Sequence, residues 1–336
     1  MKAIKFFAIS AMAAAMITSC STDDELSQSN YPSDNIIRVT AGVNNAKTRA
    51  EGAGTEMKND FSLTIVNKNA SKYTYTDKVF SKSSGDWACS ETLLWQKATI
   101  PVDIVAFAPA QEGKFKGVCD NDRNIKPITY SVADDQSTWS DNNDLLYYYA
   151  KDFNPGTSLV NKKLSIQFNH AFCMIDIVVT LGTEFNKPKV LDDSPIVKVT
   201  LGGTKIEANV DVTNAATGST TTTAASVVTA NKEATPTTIT TTKGTFDKAA
   251  NAEVNAISRF SCIAIPQTVA ANTFKVSLMT AGKRYEWTSA APVELKSGYR
   301  YTLELSMGND VVLLKGGSIS ATKWDEVTGL KPLETE

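Results

Sequence analysis

Short runs in which apolar and polar residues alternate with a period of two recur throughout this chain of 336 residues. They are rich in β-branched and aromatic residues and are separated by turn residues. A half-buried strand needs this pattern, because successive side chains point to opposite faces. Strands are predicted over residues 36–43, 61–66, 73–80, 99–107, 144–150, 164–168, 172–181, 196–201, 260–265, 274–280, 283–287, 299–305 and 311–314. No long stretch carries a 3.6-residue amphipathic pattern, and no repeat of 20–50 residues is visible, which argues against a solenoid or propeller. The strand spacing suits antiparallel sandwiches, so the expected fold class is all-β.

Residues 1–19 read as an export leader. Lys2 and Lys5 give a positive start, and the apolar run that follows is about a dozen residues, too short to span a bilayer. It ends Ile17-Thr18-Ser19-Cys20, which resembles a lipoprotein box, with cleavage between Ser19 and Cys20. The thiol of Cys20 is then the lipidation site, and acyl chains tether the chain to a membrane. Residues 20–34 begin with the acidic run Asp23-Asp24-Glu25 and hold too little apolar surface to fold, so they read as a flexible tether. An acidic patch after a lipidated cysteine is similar to the surface-export signal of Gram-negative lipoproteins.

The remaining length suits two domains. Turn residues cluster at Asn154-Pro155-Gly156-Thr157-Ser158, so domains are expected over 35–158 and 159–336. A threonine-rich segment, about 213–245, is expected to form exposed hairpins inside the second. The formal charge is −2, from 34 basic and 36 acidic residues. No basic stripe is present, so nucleic acid is not an expected partner. Cys89, Cys119, Cys173 and Cys262 permit disulfides in an exported protein, but their spacing fixes no pairing.

Catalytic constellations are missing. The one histidine, His170, sits in Phe168-Asn169-His170-Ala171-Phe172 and reads as structural. No zinc helix, nucleophile elbow or phosphate loop is found. Asp120, Asp122 and Asn124 imitate the start of a calcium loop, but Ile125 replaces its glycine and Ser131 its glutamate. No metal, cofactor or enzymatic activity is expected.

Several segments together resemble the fimbrillin family, lipoprotein-derived subunits of type V pili. They are 36–43 followed by Thr48-Arg49-Ala50; Phe61–Val66; Tyr73; Trp87 and Trp95; 102–109; Asp144-Leu145-Leu146-Tyr147; 164–179; Ile265-Pro266-Gln267-Thr268; Gly298-Tyr299-Arg300-Tyr301-Thr302-Leu303; and Ile319 with Trp324. The resemblance implies two transthyretin-like β-sandwich domains. It also implies assembly by strand exchange into a pilus, with other pilus subunits as partners and adhesion to a host or bacterial surface receptor as the outcome. On that pattern, cleavage between Arg49 and Ala50 frees the first strand, in which Ile37, Val39, Ala41 and Val43 share one face. Its loss would bare a sheet edge and a groove that another subunit's strand can fill. Burying four such side chains contributes roughly 6–12 kcal/mol before ordering costs. The expected donor is the C-terminal region, with Val311, Leu313, Ile319 and Trp324. The expected location is the outer membrane, at the cell surface. An alternative is a monomeric surface lipoprotein that binds a glycan or protein, with Trp87, Trp95, Trp139 and Tyr147–Tyr149 available to stack on sugars.

Overall fold

Each of the thirteen predicted strands is present, with ends shifted by a few residues, because alternation fixes which segments are strands better than where they stop. The computed structural model describes residues 30–44, 55–187, 189–215, 226–315 and 319–324. The first part of the chain holds strands β1 (Val39–Val43), β2 (Thr55–Glu56), β3 (Phe61–Val66), β4 (Tyr75–Ser83), β5 (Asp86–Cys89), β6 (Val102–Ala108), β7 (Ile128–Ser131), β8 (Leu146–Phe153) and β9 (Leu164–His170). There follow β10 (Cys173–Leu181), β11 (Ile196–Thr204), β12 (Glu207–Val210), β13 (Val228–Ala230), β14 (Thr237–Thr240), β15 (Thr242–Asp247) and β16 (Ile257–Ala264). The last are β17 (Gln267–Val269), β18 (Lys275–Thr280), β19 (Arg284–Thr288), β20 (Val293–Leu295), β21 (Tyr299–Met307), β22 (Val312–Leu314) and β23 (Ser320–Lys323). Among the described residues helix is confined to short turns such as Pro155–Ser158. The fold is all-β. Among the described residues no helix is long and apolar enough to cross a membrane.

The first sheet runs β1-β5-β4-β3-β6-β8-β9, and β9 pairs back onto β1, so the sheet closes on itself. One apolar cluster fills it, with Phe61, Leu63, Ile65, Ile104, Ile166 and Phe168 almost fully buried. Phe61 anchors that cluster through ring contacts with Phe80, Trp87 and Phe168. On β6, Ile104 and Ala106 face this cluster, while Val105 and Phe107 face a second one. Being covered on both sides, β6 is apolar at nearly every position. The buried polar face of β3 is matched locally: Ser62 Oγ donates to Asp77 at 2.6 Å and Asp77 N–H donates to Thr64 Oγ1 at 3.0 Å.

The second cluster lies within the sheet β15-β16-β10-β21, with β22 and β23 on the far side of β21, and the sheet β14-β11-β18-β19. A bulge in β11 falls at Gly203, where φ is +88° and an added Cβ would meet the Thr273 carbonyl oxygen at 2.0 Å, so only glycine fits.

Three expectations change. The break at residue 158 does not mark where the clusters divide. Strand β9, expected in the second domain, pairs with β1 and β8 and carries Leu164, Ile166 and Phe168 into the first cluster. Conversely β7 pairs with β12, and Phe115, Tyr130 and Leu145 belong to the second cluster. Turn residues mark a reversal of the chain, not the sheet to which the next strand returns. The threonine-rich segment is not simply exposed hairpin either. Strand β14 joins β11 and buries Ile239, and β15 joins β16. Threonine suits strands on either face, so its abundance did not betray the burial.

Candidate functional site

Strand β1 is held on both edges. Against β9 it runs parallel, from Val39 opposite Leu164 to Val43 opposite Phe168. Leu164 N–H donates to the Arg38 carbonyl and Asn44 N–H to the Phe168 carbonyl, each at 2.8 Å. The Asn44 amide adds a 2.7 Å bond to Asn169 Oδ1. The other edge is patchier. Ile37 N–H donates to the Leu93 carbonyl, Val39 pairs with Trp87 on β5, and Gly42 and Val43 pair with β2. A cavity of about 210 Å³ lies on that side, lined by Ile36, Ile37, Trp87, Cys89 and Leu93.

The predicted face of β1 is the packed one. Ile37 and Val39 are buried, and Ala41 and Val43 are half-buried against the same cluster. Thr40 is exposed. Ahead of β1, Asp34 and Arg38 form an ion pair at 2.6 Å, and this hydrogen bond holds the Asp34 carboxyl at about 2. β1 and β2 bracket residues 45–54, so the chain on either side of Arg49 and Ala50 is paired. Arg49 and Ala50 themselves lie outside the described residues, as do Ser19 and Cys20.

The C-terminal segment is held on one edge. Strands β22 and β23 both run antiparallel to β21, with Leu314 opposite Leu305 and Ala321 opposite Tyr301. Val312 is buried and Leu314 half-buried, whereas Val311 and Leu313 are 49% and 59% exposed. In the monomer Val312 and Leu314, rather than Val311 and Leu313, are the ones that turn inward. Val311-Val312-Leu313-Leu314 is a continuous apolar run, so the sequence gives no alternation from which to set its phase. Ile319 and Trp324 are half-buried against the second cluster. Beneath this segment a cleft of about 430 Å³ is lined by Trp287, Tyr299, Tyr301, Leu314, Ile319 and Ala321.

Trp324 ends the described chain on His170. The rings are parallel within 6°, with centroids 3.9 Å apart, and Trp324 N–H donates to the Gly298 carbonyl at 2.7 Å. His170 Nδ1 lies 3.0 Å from the Asp144 carboxylate, and its carbonyl accepts from the Ser297 hydroxyl. Every partner of the ring is thus a structural one. Sequence reasoning gave no role to Asn44 and Asn169, because a polar residue that follows an apolar strand looks like an ordinary turn, and read Asp144 only as the start of a strand.

The aromatic residues offered as sugar platforms are committed to packing. Trp95 is buried and stacks on Phe153, Trp87 meets Phe61 edge-on, and Tyr147 and Tyr149 pack on one cluster while Tyr148 packs on the other. Trp139 is half-buried and its indole N–H donates to Asp141. The Asp120 carboxylate accepts from Asn124 N–H at 2.8 Å and meets Lys126 at 3.1 Å, so lysine occupies the place of a cation. No group of metal-ligating side chains is found among the described residues. Cys89, Cys119, Cys173 and Cys262 carry free thiols, and burial pushes those of Cys173 and Cys262 far up.

Residues 48–324 match the family model described as fimbrillin-like. The chain belongs to the fimbrillin-like family. The match begins just before Arg49 and ends on Trp324. Solved structures similar to this fimbrillin-like chain share its fold at low identity. A candidate cell adhesion protein from Bacteroides ovatus aligns over 84% of this chain and 96% of its own, at 14% identity and a TM-score of 0.56. Another, from Bacteroides uniformis, covers 87% and 99% at 14% identity and a TM-score of 0.54. A fimbrial protein from Bacteroides vulgatus covers 86% and 99% at 13% identity and a TM-score of 0.53. No curated protein matches by sequence. The family is fimbrillin-like, and the three solved structures are named as cell adhesion or fimbrial proteins.

Proposed function

We propose that this chain is a structural subunit of a cell-surface pilus that polymerises by strand exchange and mediates adhesion. The observation that carries the reading is β1: it closes the first sheet, buries Ile37 and Val39, and is joined to β2 only through the stretch that contains Arg49. Cleavage between Arg49 and Ala50 turns a covalently local strand into a separate one. Before the cut its effective concentration exceeds that of any strand in solution; after it, another subunit's strand competes on equal terms. An incoming strand regains the ladder bonds of β9 and the apolar contacts of Ile37 and Val39. The donor in this reading is the C-terminal segment, with Val312 and Leu314 as its packing residues in the monomer. Lipidation at Cys20 anchors the chain to the outer membrane. Other pilus subunits are its partners, and a surface receptor is the target of the finished fibre.

The test is electrophoresis of unboiled protein after limited treatment with an arginine-specific protease, which spares the neighbouring Lys47. The parent chain should give a ladder of oligomers, and Arg49→Ala should remain monomeric. A ladder of equal extent from Arg49→Ala would sink the processing step, and monomers from both chains would sink strand exchange.

A further inference from the structure

The strand that seats β1 also seats the end of the C-terminal segment. Three consecutive residues of β9 do both. The Phe168 carbonyl accepts from Asn44 N–H, Asn169 Oδ1 accepts from the Asn44 amide, and the His170 ring carries Trp324. A second path closes the loop: the His170 carbonyl accepts from Ser297, and the next residue, Gly298, accepts Trp324 N–H. Without β1, residues 164–168 lose their parallel partner and expose one sheet edge, while Asn169 and His170 keep their pairing with Tyr147 and Leu146 on β8. An edge of this kind opens locally more easily, and a shift there moves the platform under Trp324. Beyond the His170 ring, Trp324 is held by its N–H bond to Gly298 and by partial burial against the second cluster, and the four residues of β23 are exposed.

We propose that Phe168-Asn169-His170 couples the two terminal strands, so that β1 in its seat keeps β23 and Trp324 docked, and loss of β1 loosens them. The inference rests on the strand-exchange reading for its purpose: a subunit would release its donor only after its own groove has opened, which prevents uncut subunits from polymerising. The coupling itself belongs to the monomer. Linkage makes it reciprocal, so loosening Trp324 must loosen β1 by the same factor.

Hydrogen exchange read by mass spectrometry on the monomeric full chain tests this. In Asn44→Ala, the amides of residues 320–324 should exchange at least about 5-fold faster than in the parent, while those of β18 stay unchanged. In Trp324→Ala, which alters only the outer end of the chain's packing, the amides of residues 40–44 should accelerate by the same factor. Chain cut by the arginine-specific protease and stripped of its first strand should show the fast rate at 320–324, and a synthetic peptide of residues 36–44 should restore the slow one. Unchanged exchange at 320–324 on loss of β1, or at 40–44 in Trp324→Ala, overturns the coupling. The Trp324→Ala arm decides even where Asn44→Ala fails to fold. Because the readout is on monomers, such a result leaves strand exchange standing, whereas a failed polymer ladder strikes strand exchange and leaves the coupling standing.

Discussion

The first strand and β22 are both short apolar strands near an end of the described chain, yet the molecule holds them in opposite ways. β1 is paired on both edges and buries Ile37 and Val39 inside a closed sheet. β22 and β23 lie on one edge of β21, bury Val312 and leave Val311 and Leu313 in solvent. Hydrophobicity alone does not separate the two. What separates them is how many neighbours the sheet supplies. A strand with two neighbours is part of the core and leaves a groove when removed. A strand with one neighbour is detachable and leaves the sheet merely one strand narrower.

The largest expected effect comes from putting a charge into the closed sheet. Val39→Asp places a carboxylate at a buried apolar site and should cost more than about 3 kcal/mol in urea denaturation, with loss of the folded state a permitted extreme. Ile37→Ala removes buried methyl groups and should cost about 2–4 kcal/mol by the same measurement. A cost under about 1 kcal/mol for both would mean that β1 is not a core strand, and the comparison would fail.

A spectroscopic test asks what the C-terminal strands cover. Burial pushes the Tyr301 phenol up to about 12, against about 10 for a free tyrosine. The fold favours the neutral phenol, so this contribution to stability is complete below about pH 10 and is lost as pH rises through 12. Truncation after Met307 removes Ala321 and its neighbours from above Tyr301 and should bring the phenol back toward the ordinary value. Ultraviolet difference titration of the truncated chain against its Tyr301→Phe variant reads the shift. An unmoved titration would show that β22 and β23 are not what buries the ring.

Thiol chemistry sharpens the contrast between edges and core. Cys89 and Cys119 are half-buried and should react with a thiol reagent in the folded chain, Cys119 the more slowly because burial raises its thiol. Cys173 and Cys262 should react only at the rate of global unfolding. Fast labelling of either would place β10 or β16 at a mobile edge. The smallest effect is expected at Leu313→Asp, which should change stability by no more than about 0.5 kcal/mol because the side chain already faces water. A loss comparable with that of Val39→Asp would erase the distinction between the two ends.

Much of the fold was legible. The period-two runs located thirteen strands, and Ile37, Val39, Ala41 and Val43, which alternate along the chain, all pack on the first cluster. Short pairings were not legible. Strands β2, β5, β7 and β13 hold two to four residues, too few for a period to show. Of the candidate site, the apolar face of β1 was readable and the polar bonds at its end were not. Asn44 and Asn169 look like residues that merely follow a strand, and Asp144 like one that begins a strand, until the sheet closes and brings Asn44 to Asn169 and Asp144 to His170.

The sequence by itself determined that this chain is built of strands and that its motifs run in fimbrillin order, because strand periodicity and motif order are local or ordinal properties. Only the tertiary structure decided that β1 bridges β5 and β9, that β9 serves the first cluster and β7 the second, and that Val312 rather than Val311 turns inward. Those facts depend on contacts between residues far apart in the chain. A strand's own pattern says that it has a buried face, but not which neighbour will bury it.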